Sequence, residues 1–288
     1  MPEAIRTIQW QRRLADHLAT ALSIACVLLV MLPLAAIFIY LVIRGIGALN
    51  PAFFTHIPAG GPGEPGGGMA NAIVGSVVIL LIGSVIGVPL GVGSGIYLSE
   101  YSRGQFGRVV RFTADVLNGV PSIVIGIAVY ALLVIRQKHF SALAGGVALG
   151  IMMIPTITRS TEEMLRLVPN SIREAALGLG IPQWRSTMSI TLRTAMSGVI
   201  TGVMLAFARV SGETAPLLFT ALGNQFWSTK LNQPIAALPL QIYIYALSPY
   251  DEWHRLAWAG ALVLIVLIVA TSASVRWIAS RGFTGGGR

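Results

Sequence analysis

Apolar residues fall in long uninterrupted runs, with neither strict alternation nor a polar face every half-turn. A bilayer core about 30 Å thick is crossed by about 20 apolar residues of helix. Six runs meet or approach that length: residues 18–43, 70–98, 112–135, 140–158, 195–222 and 256–275. The first exceeds the core of a secretory leader, usually about 7–15 residues, and reads as a retained helix. The third carries an acid, Asp115, near its start, and Arg209 and Glu213 interrupt the fifth. The pattern predicts an all-α integral membrane protein with six transmembrane helices.

The polar segments set the organisation. A tail (1–17) precedes the first helix (18–43), and a loop (44–69) follows it. That loop holds Gly60–Gly68, all glycine and proline apart from Glu64, a composition that connects rather than packs. The first helix is therefore expected to be peripheral to a five-helix core (70–280), which ends in a short tail (281–288). Gly83, Gly87, Gly91 and Gly95 recur every four residues, and Gly146 with Gly150 and Gly198 with Gly202 repeat the step. Small residues at this spacing let membrane helices approach closely. Pro89, Pro121 and Pro155 are expected to kink or end helices. Phe226, Trp227, Tyr243, Tyr245, Tyr250 and Trp253 suit an interfacial belt and a partly ordered outer lid over residues 223–255.

Composition removes the alternatives. The chain is 55% hydrophobic and 11% charged, whereas soluble domains carry about 25% charged residues. A soluble two-domain enzyme and a disordered chain are both excluded. The net charge of +9 does not call for nucleic acid, because basic residues also orient membrane proteins. With the N-terminus inside, fourteen of the twenty basic residues face the cytoplasm, five face out, and Arg209 stays in the membrane. Both termini are then cytoplasmic. The single cysteine, Cys26, excludes an intrachain disulfide. Neither lysine lies in a Gly-Lys-Ser/Thr phosphate loop, the four histidines form no paired metal site, and no Gly-x-Ser-x-Gly elbow occurs. No catalytic residue, metal or cofactor is expected.

Residues 159–193 form the longest cytoplasmic segment. Ser160 with Glu163 and Ser171 with Glu174 have the capping-box spacing, and Pro169 separates two predicted short helices. The second runs from Ser171 through Ala175 and Ala176 to Gly180, a glycine stop, with Arg173 and Glu174 on a side apart from its apolar residues. Spacing alone leaves open whether this is a docking element or an ordinary connector.

The residue identities go further. Glu174-Ala175-Ala176, Gly180 and Ile190-Thr191-Leu192 resemble the cytoplasmic EAA signature of ABC importer permeases, although this chain has Leu192-Arg193 where the family usually has Leu-Pro. In that family the loop is a coupling helix seated in a groove of the ATP-hydrolysing subunit. Asn118–Val124, Arg159–Met164 and Ser211–Phe219 resemble the PstA permeases of bacterial phosphate-specific ABC importers. The resemblance implies a type I importer fold in the bacterial inner membrane and a heterodimer with PstC. It also implies a PstB ATPase pair, the phosphate-binding protein PstS and phosphate as cargo.

Arg209 and Glu213 are predicted to share one helical face near mid-membrane, where each charge costs roughly 2.5–3.5 kcal/mol unless it faces protein or water. They are expected either to pair and fix packing or to line the substrate path. In the second case Arg209 attracts the oxyanion and Glu213 competes for it. Arg193, at the cytoplasmic end of the same helix, receives the anion or anchors the helix. Two other readings stay open: a permease for molybdate or sulfate, and a secondary transporter or channel needing no ATPase.

Overall fold

The computed structural model describes residues 2–59, 61, 64, 67–102 and 104–284, with side chains at residue 10 and, within those ranges, from 12 to 278. Five residues of the Gly/Pro loop, Arg103 and the tail from 285 lie outside the described residues, as do the side chains of Arg6 and Arg281.

The described residues are helical with no strand. Helix α1 is Pro2–Ile46, and the short α2 is Pro51–Thr55. Helix α3, Ala70–Ile96, closes in a π-helical turn, Tyr97–Tyr101. Helices α4, Gln105–Gly119, and α5, Ser122–Val129, follow, the latter extended by a π-helical turn and a last turn to Gln137. Then come α6, Ala142–Arg166; α7, Asn170–Gly178; and α8, Gln183–Ser186, which continues through a π-helical turn into α9, Leu192–Ser211. Helices α10, Ala215–Thr220; α11, Leu238–Ala246; and α12, Asp251–Thr284, complete the chain.

Among the described residues, five helical stretches are long and apolar enough to cross a membrane: Arg12–Ile46, Ala70–Tyr101, Ala142–Arg166, Gln183–Ser211 and Asp251–Ile278. The expected third crossing is instead two helices, α4 and α5, bent by 104°. Pro121 has no N–H to continue α4 and disfavours helical geometry at Val120, which is extended at φ −70°, ψ 130°. The glycine ladder decides whether the bent pair still carries the chain across. Gly83 lies against Gly146 and Gly150, Gly87 against Gly150 and Met153, Gly91 against Ile154 and Ile157, and Gly95 against Thr158 and Thr161. Both residue numbers rise together, so α3 and α6 run parallel. The connection between them must return the chain to its starting end, so α4 and α5 together make one net crossing.

Helix α6 is the central element. It packs along α3 on one side, and Gly198 and Gly202 of α9 press on Met164 and Ser160 from another. Buried Ile79, Ile125, Val129, Leu149, Met153, Ile157, Val210 and Leu217 fill the space between these helices. Helix α1 is peripheral: only its last turns pack, with Gly45 against Leu262 and Trp258 of α12 and Tyr40 edge-on to Trp258. From Arg12 to Tyr40 its side chains are exposed.

Residues 223–255 are more deeply inserted than a lid. Phe226 and Trp227 are exposed, but Ile235–Leu238 and Leu240 are buried and Tyr245 is buried against Trp253. Leu238 N–H donates to Ser76 Oγ at 2.7 Å, and Gly75 leaves room for the Ala236 carbonyl. The segment Pro234–Leu240 is apolar enough to enter the core and too short to register as a span.

Candidate functional site

Two charged regions stand out, at mid-depth on α9 and around α7. Pairing of Gly202 with Ser160 and of Gly198 with Met164 makes α9 antiparallel to α6. Continuing that pairing for seven residues, about 10 Å of helix, puts Arg209 level with the middle of α6. Arg193, Ser197, Thr201, Leu205 and Arg209 follow one another at four-residue steps along α9, a row that winds about 40° per step, and all are exposed. No described element of the chain covers this stripe. Elsewhere the exposed faces of the long helices are apolar, as at Val77, Leu81, Val85 and Leu90 of α3. A mostly polar face at this depth needs protein or water in front of it.

Arg209 and Glu213 do not share a helical face. Helix α9 ends at Ser211, where Gly212 N–H returns to the Arg209 carbonyl and Glu213 N–H to that of Val210. Pro216 begins α10 and cannot prolong α9. Among the described residues neither side chain makes an ion pair or hydrogen bond, so the i, i+4 pair anticipated from spacing is absent. Exposed Arg209 and half-buried Glu213 are both left for something outside this chain. The helices that follow the two breaks pack on each other: a Cβ on Gly126 of α5 would stand 2.7 Å from Pro216 Cα of α10. Irregular backbone at membrane depth is tolerated where protein buries it or a cavity receives it. The run Ser211–Phe219 thus holds the end of α9, two residues beyond Arg209, and the start of the helix that packs on α5.

The second region is the loop between α6 and α9. Of the two predicted helices only the second is separate, α7, because the first is the end of α6, which continues to Arg166. Ser160 caps nothing: it donates to the Ile157 carbonyl within α6. Helix α7 starts at Asn170 behind Pro169, without a side-chain cap from Ser171. Its end matches expectation. Gly180 has φ +77°, and Gly180 N–H to the Leu177 carbonyl with Ile181 N–H to that of Ala176 completes a Schellman motif. Glu174 and Ala175 are exposed, while Ala176 faces inward. Leu177, Leu179 and Trp184 are exposed beside them, Leu179 at 81%. These apolar side chains stand beside Glu174 and Ala175 on the exposed side of the loop.

Beneath α7 lies a network that sequence reasoning missed. Fully buried Glu162 on α6 accepts from Arg111 Nε of α4 at 2.6 Å, Arg159 at 3.1 Å and Arg166 at 2.6 Å. Arg159 also meets Asp115 at 3.0 Å, and Arg111 donates to the Leu98 carbonyl at 2.8 Å. Three guanidinium groups compensate one carboxylate that would otherwise be prohibitive to bury. Arg173 pairs with Glu100 at 2.8 Å and is turned inward, so it does not share the exposed side of Glu174. A polar cavity of about 350 Å³, lined by Glu100, Arg166, Arg173, Glu174 and Gln183 among others, opens beside this pair.

Known proteins share this arrangement. The family of binding-protein-dependent transport system inner membrane components matches residues 83–282. The phosphate transport system permease protein PstA of Yersinia pestis is 46% identical over 277 residues, covering 96% of this chain and 94% of that protein. The PstA protein of Xylella fastidiosa strain 9a5c is 45% identical, covering 98% of each. Among solved structures, the inward-facing MetNI methionine ABC transporter gives a TM-score of 0.55 at 18% identity, covering 76% of this chain and 94% of that one. That likeness is one of fold, the type I importer permease fold. With a match over most of its length, this multi-pass membrane chain belongs to the family of binding-protein-dependent transport system inner membrane components, alongside the PstA permeases.

Proposed function

We propose that this permease subunit of an ABC importer carries phosphate across a bacterial inner membrane, with both termini and α7 in the cytoplasm. Relatives named phosphate permeases support the cargo. The observation in the structure that carries the mechanism is the uncovered polar stripe of α9. A second permease of PstC type covers that stripe and, with it, encloses a path in which Arg209 meets the oxyanion. A guanidinium offers paired donors to phosphate oxygens, and Glu213, a few residues beyond, limits how long the anion stays. Arg193 lies at the other end of the stripe, where the anion leaves. A binding protein of PstS type delivers phosphate from outside.

ATP hydrolysis resides on a separate subunit, here a PstB dimer. It reaches this chain through Glu174, Ala175, Ala176 and Gly180, with Leu177 and Leu179 supplying the apolar contact. The test is uptake of labelled phosphate by cells carrying Arg209→Ala or Glu213→Ala in assembled complexes. Both are expected to lose most uptake. Wild-type uptake in both would refute the role given to the stripe, and competition by molybdate or sulfate as strong as by phosphate would refute the cargo.

A further inference from the structure

Arg173 stands next to Glu174, yet the two side chains serve opposite directions. Glu174 is exposed, whereas Arg173 reaches back toward the membrane helices. Its Nε and NH2 donate to the Glu100 carboxylate at 3.1 and 2.8 Å. NH2 also donates to the Leu165 carbonyl at 2.7 Å, and NH1 to the Val168 carbonyl at 2.5 Å and Asn170 Oδ1 at 3.3 Å. Those carbonyls lie at the C-terminal end of α6, where unpaired acceptors and the helix dipole favour a cation.

Glu100 is equally committed. It belongs to the π-helical turn that closes α3, and its side chain is 6% exposed. Ser99 donates to its Oε1 at 3.0 Å, and Gln183 Nε2 donates to its backbone carbonyl at 2.9 Å. One guanidinium therefore joins α7 to the ends of both α3 and α6. These are the two helices locked together by the glycine ladder. Around it, α7 is attached by Leu167–Pro169 on one side and Gly180–Pro182 on the other, short links with a left-handed glycine in the second. Ile172 adds an apolar contact to the cluster of Ile96, Leu165 and Val168.

We propose that Arg173 is a positioning residue for energy coupling: its bonds to Glu100 and the α6 carbonyls make α7 move as one body with the α3–α6 pair. A displacement applied at the exposed face of α7 is then delivered to the membrane helices. Without Arg173 the links on either side absorb it. The inference rests on α7 being the ATPase-docking element proposed above.

The experiment uses the complete complex of permeases, ATPase and binding protein in proteoliposomes, with inorganic phosphate as cargo. Phosphate uptake and ATP hydrolysis are measured on the same vesicles. Arg173→Ala is expected to keep the ATPase bound and hydrolysing while phosphate moved per ATP falls about tenfold, the scale of losing a charged hydrogen-bond set. Glu100→Ala should do the same, and the double variant should be no worse than the more severe single one, because both remove one interaction. Arg173→Lys, which keeps the charge but not the fork, should fall between. Should Arg173→Ala fail to assemble, Glu100→Gln retains shape and acceptor and should still lower the ratio several-fold. An unchanged ratio in assembled Arg173→Ala or Glu100→Gln, or additive losses in the double variant, overturns the proposal. Glu174→Arg separates the two levels. If it leaves both ATPase retention and uptake unchanged, the docking reading fails. If it releases the ATPase while Arg173→Ala leaves the ratio unchanged, only the present inference fails.

Discussion

Adding one methyl group to α3 should have opposite effects two residues apart. At Gly91 an added Cβ would lie 2.7 Å from Ile157 Cβ and 2.8 Å from its Cγ2, with the Ile154 carbonyl at 3.2 Å. Carbon atoms pack best at about 3.5–4.0 Å, so α3 and α6 must part by about 1 Å at this layer. The β-branched Ile157 has little rotamer freedom in a helix with which to yield. Overpacking of this kind costs about 1–3 kcal/mol, against which alanine recovers about 0.5–1 kcal/mol of helix preference over glycine. Gly91→Ala should therefore be net destabilising, by roughly 0.5–2 kcal/mol. At Gly93 nothing lies within 4 Å of the added atom, so Gly93→Ala should gain the helix term alone. The assay is the midpoint of unfolding of the purified complex in detergent, by heat or by graded denaturing detergent. The midpoint should fall for Gly91→Ala and hold or rise for Gly93→Ala. Equal shifts in the two variants would refute the claim that the ladder sets the α3–α6 distance.

Two further pairs of substitutions probe the network and the loop. Glu162→Gln removes the charge shared by three arginines, which are 23%, 32% and 57% exposed, and should destabilise by about 1.5–3 kcal/mol, the scale of a lost charged hydrogen bond. Arg166→Ala, at a side chain 57% exposed, should cost about 0–1 kcal/mol in the same unfolding assay. Comparable losses would mean the burial of Glu162 carries no penalty. Gly180→Ala forces a side chain into the left-handed region, at about 1–2 kcal/mol, with no steric contact within 4 Å to confuse the result. Co-purification of the ATPase should drop several-fold, while Gly178→Ala, equally open but helical, should leave it intact.

The crossings were legible in the sequence because lipid leaves a chain so few choices: apolar length translates almost directly into helix. The first, second, fourth and sixth runs all correspond to long helices. The peripheral place of α1 followed from the Gly/Pro segment after it. What failed was continuity. Pro121, expected to kink or end a helix, ends one inside what was read as a single span, and Gly212 with Pro216 ends α9 in the middle of an apolar run. For the same reason the shared helical face expected of Arg209 and Glu213 is absent, since i, i+4 geometry holds only where the helix continues. The ion network could not be read at all. Glu162 and Arg111 are 51 residues apart, and Glu100 and Arg173 are 73 apart, so no local period links them. Ser160 illustrates the converse error. Its spacing to Glu163 imitates a helix start, but it lies within α6, where the backbone donors are already engaged.

The bare stripe on α9 bears on how cells keep the subunits in proportion. A copy of this chain inserted without a companion presents Arg209 to acyl chains, at roughly 2.5–3.5 kcal/mol for that one charge, and leaves most of α1 without a protein neighbour. Such an orphan is conspicuous in a way an assembled copy is not. Its misfit lies in the middle of the bilayer, within reach of membrane-embedded proteases. If a companion permease covers the stripe as proposed, Arg209 also marks an unassembled copy, and assembly conceals the mark.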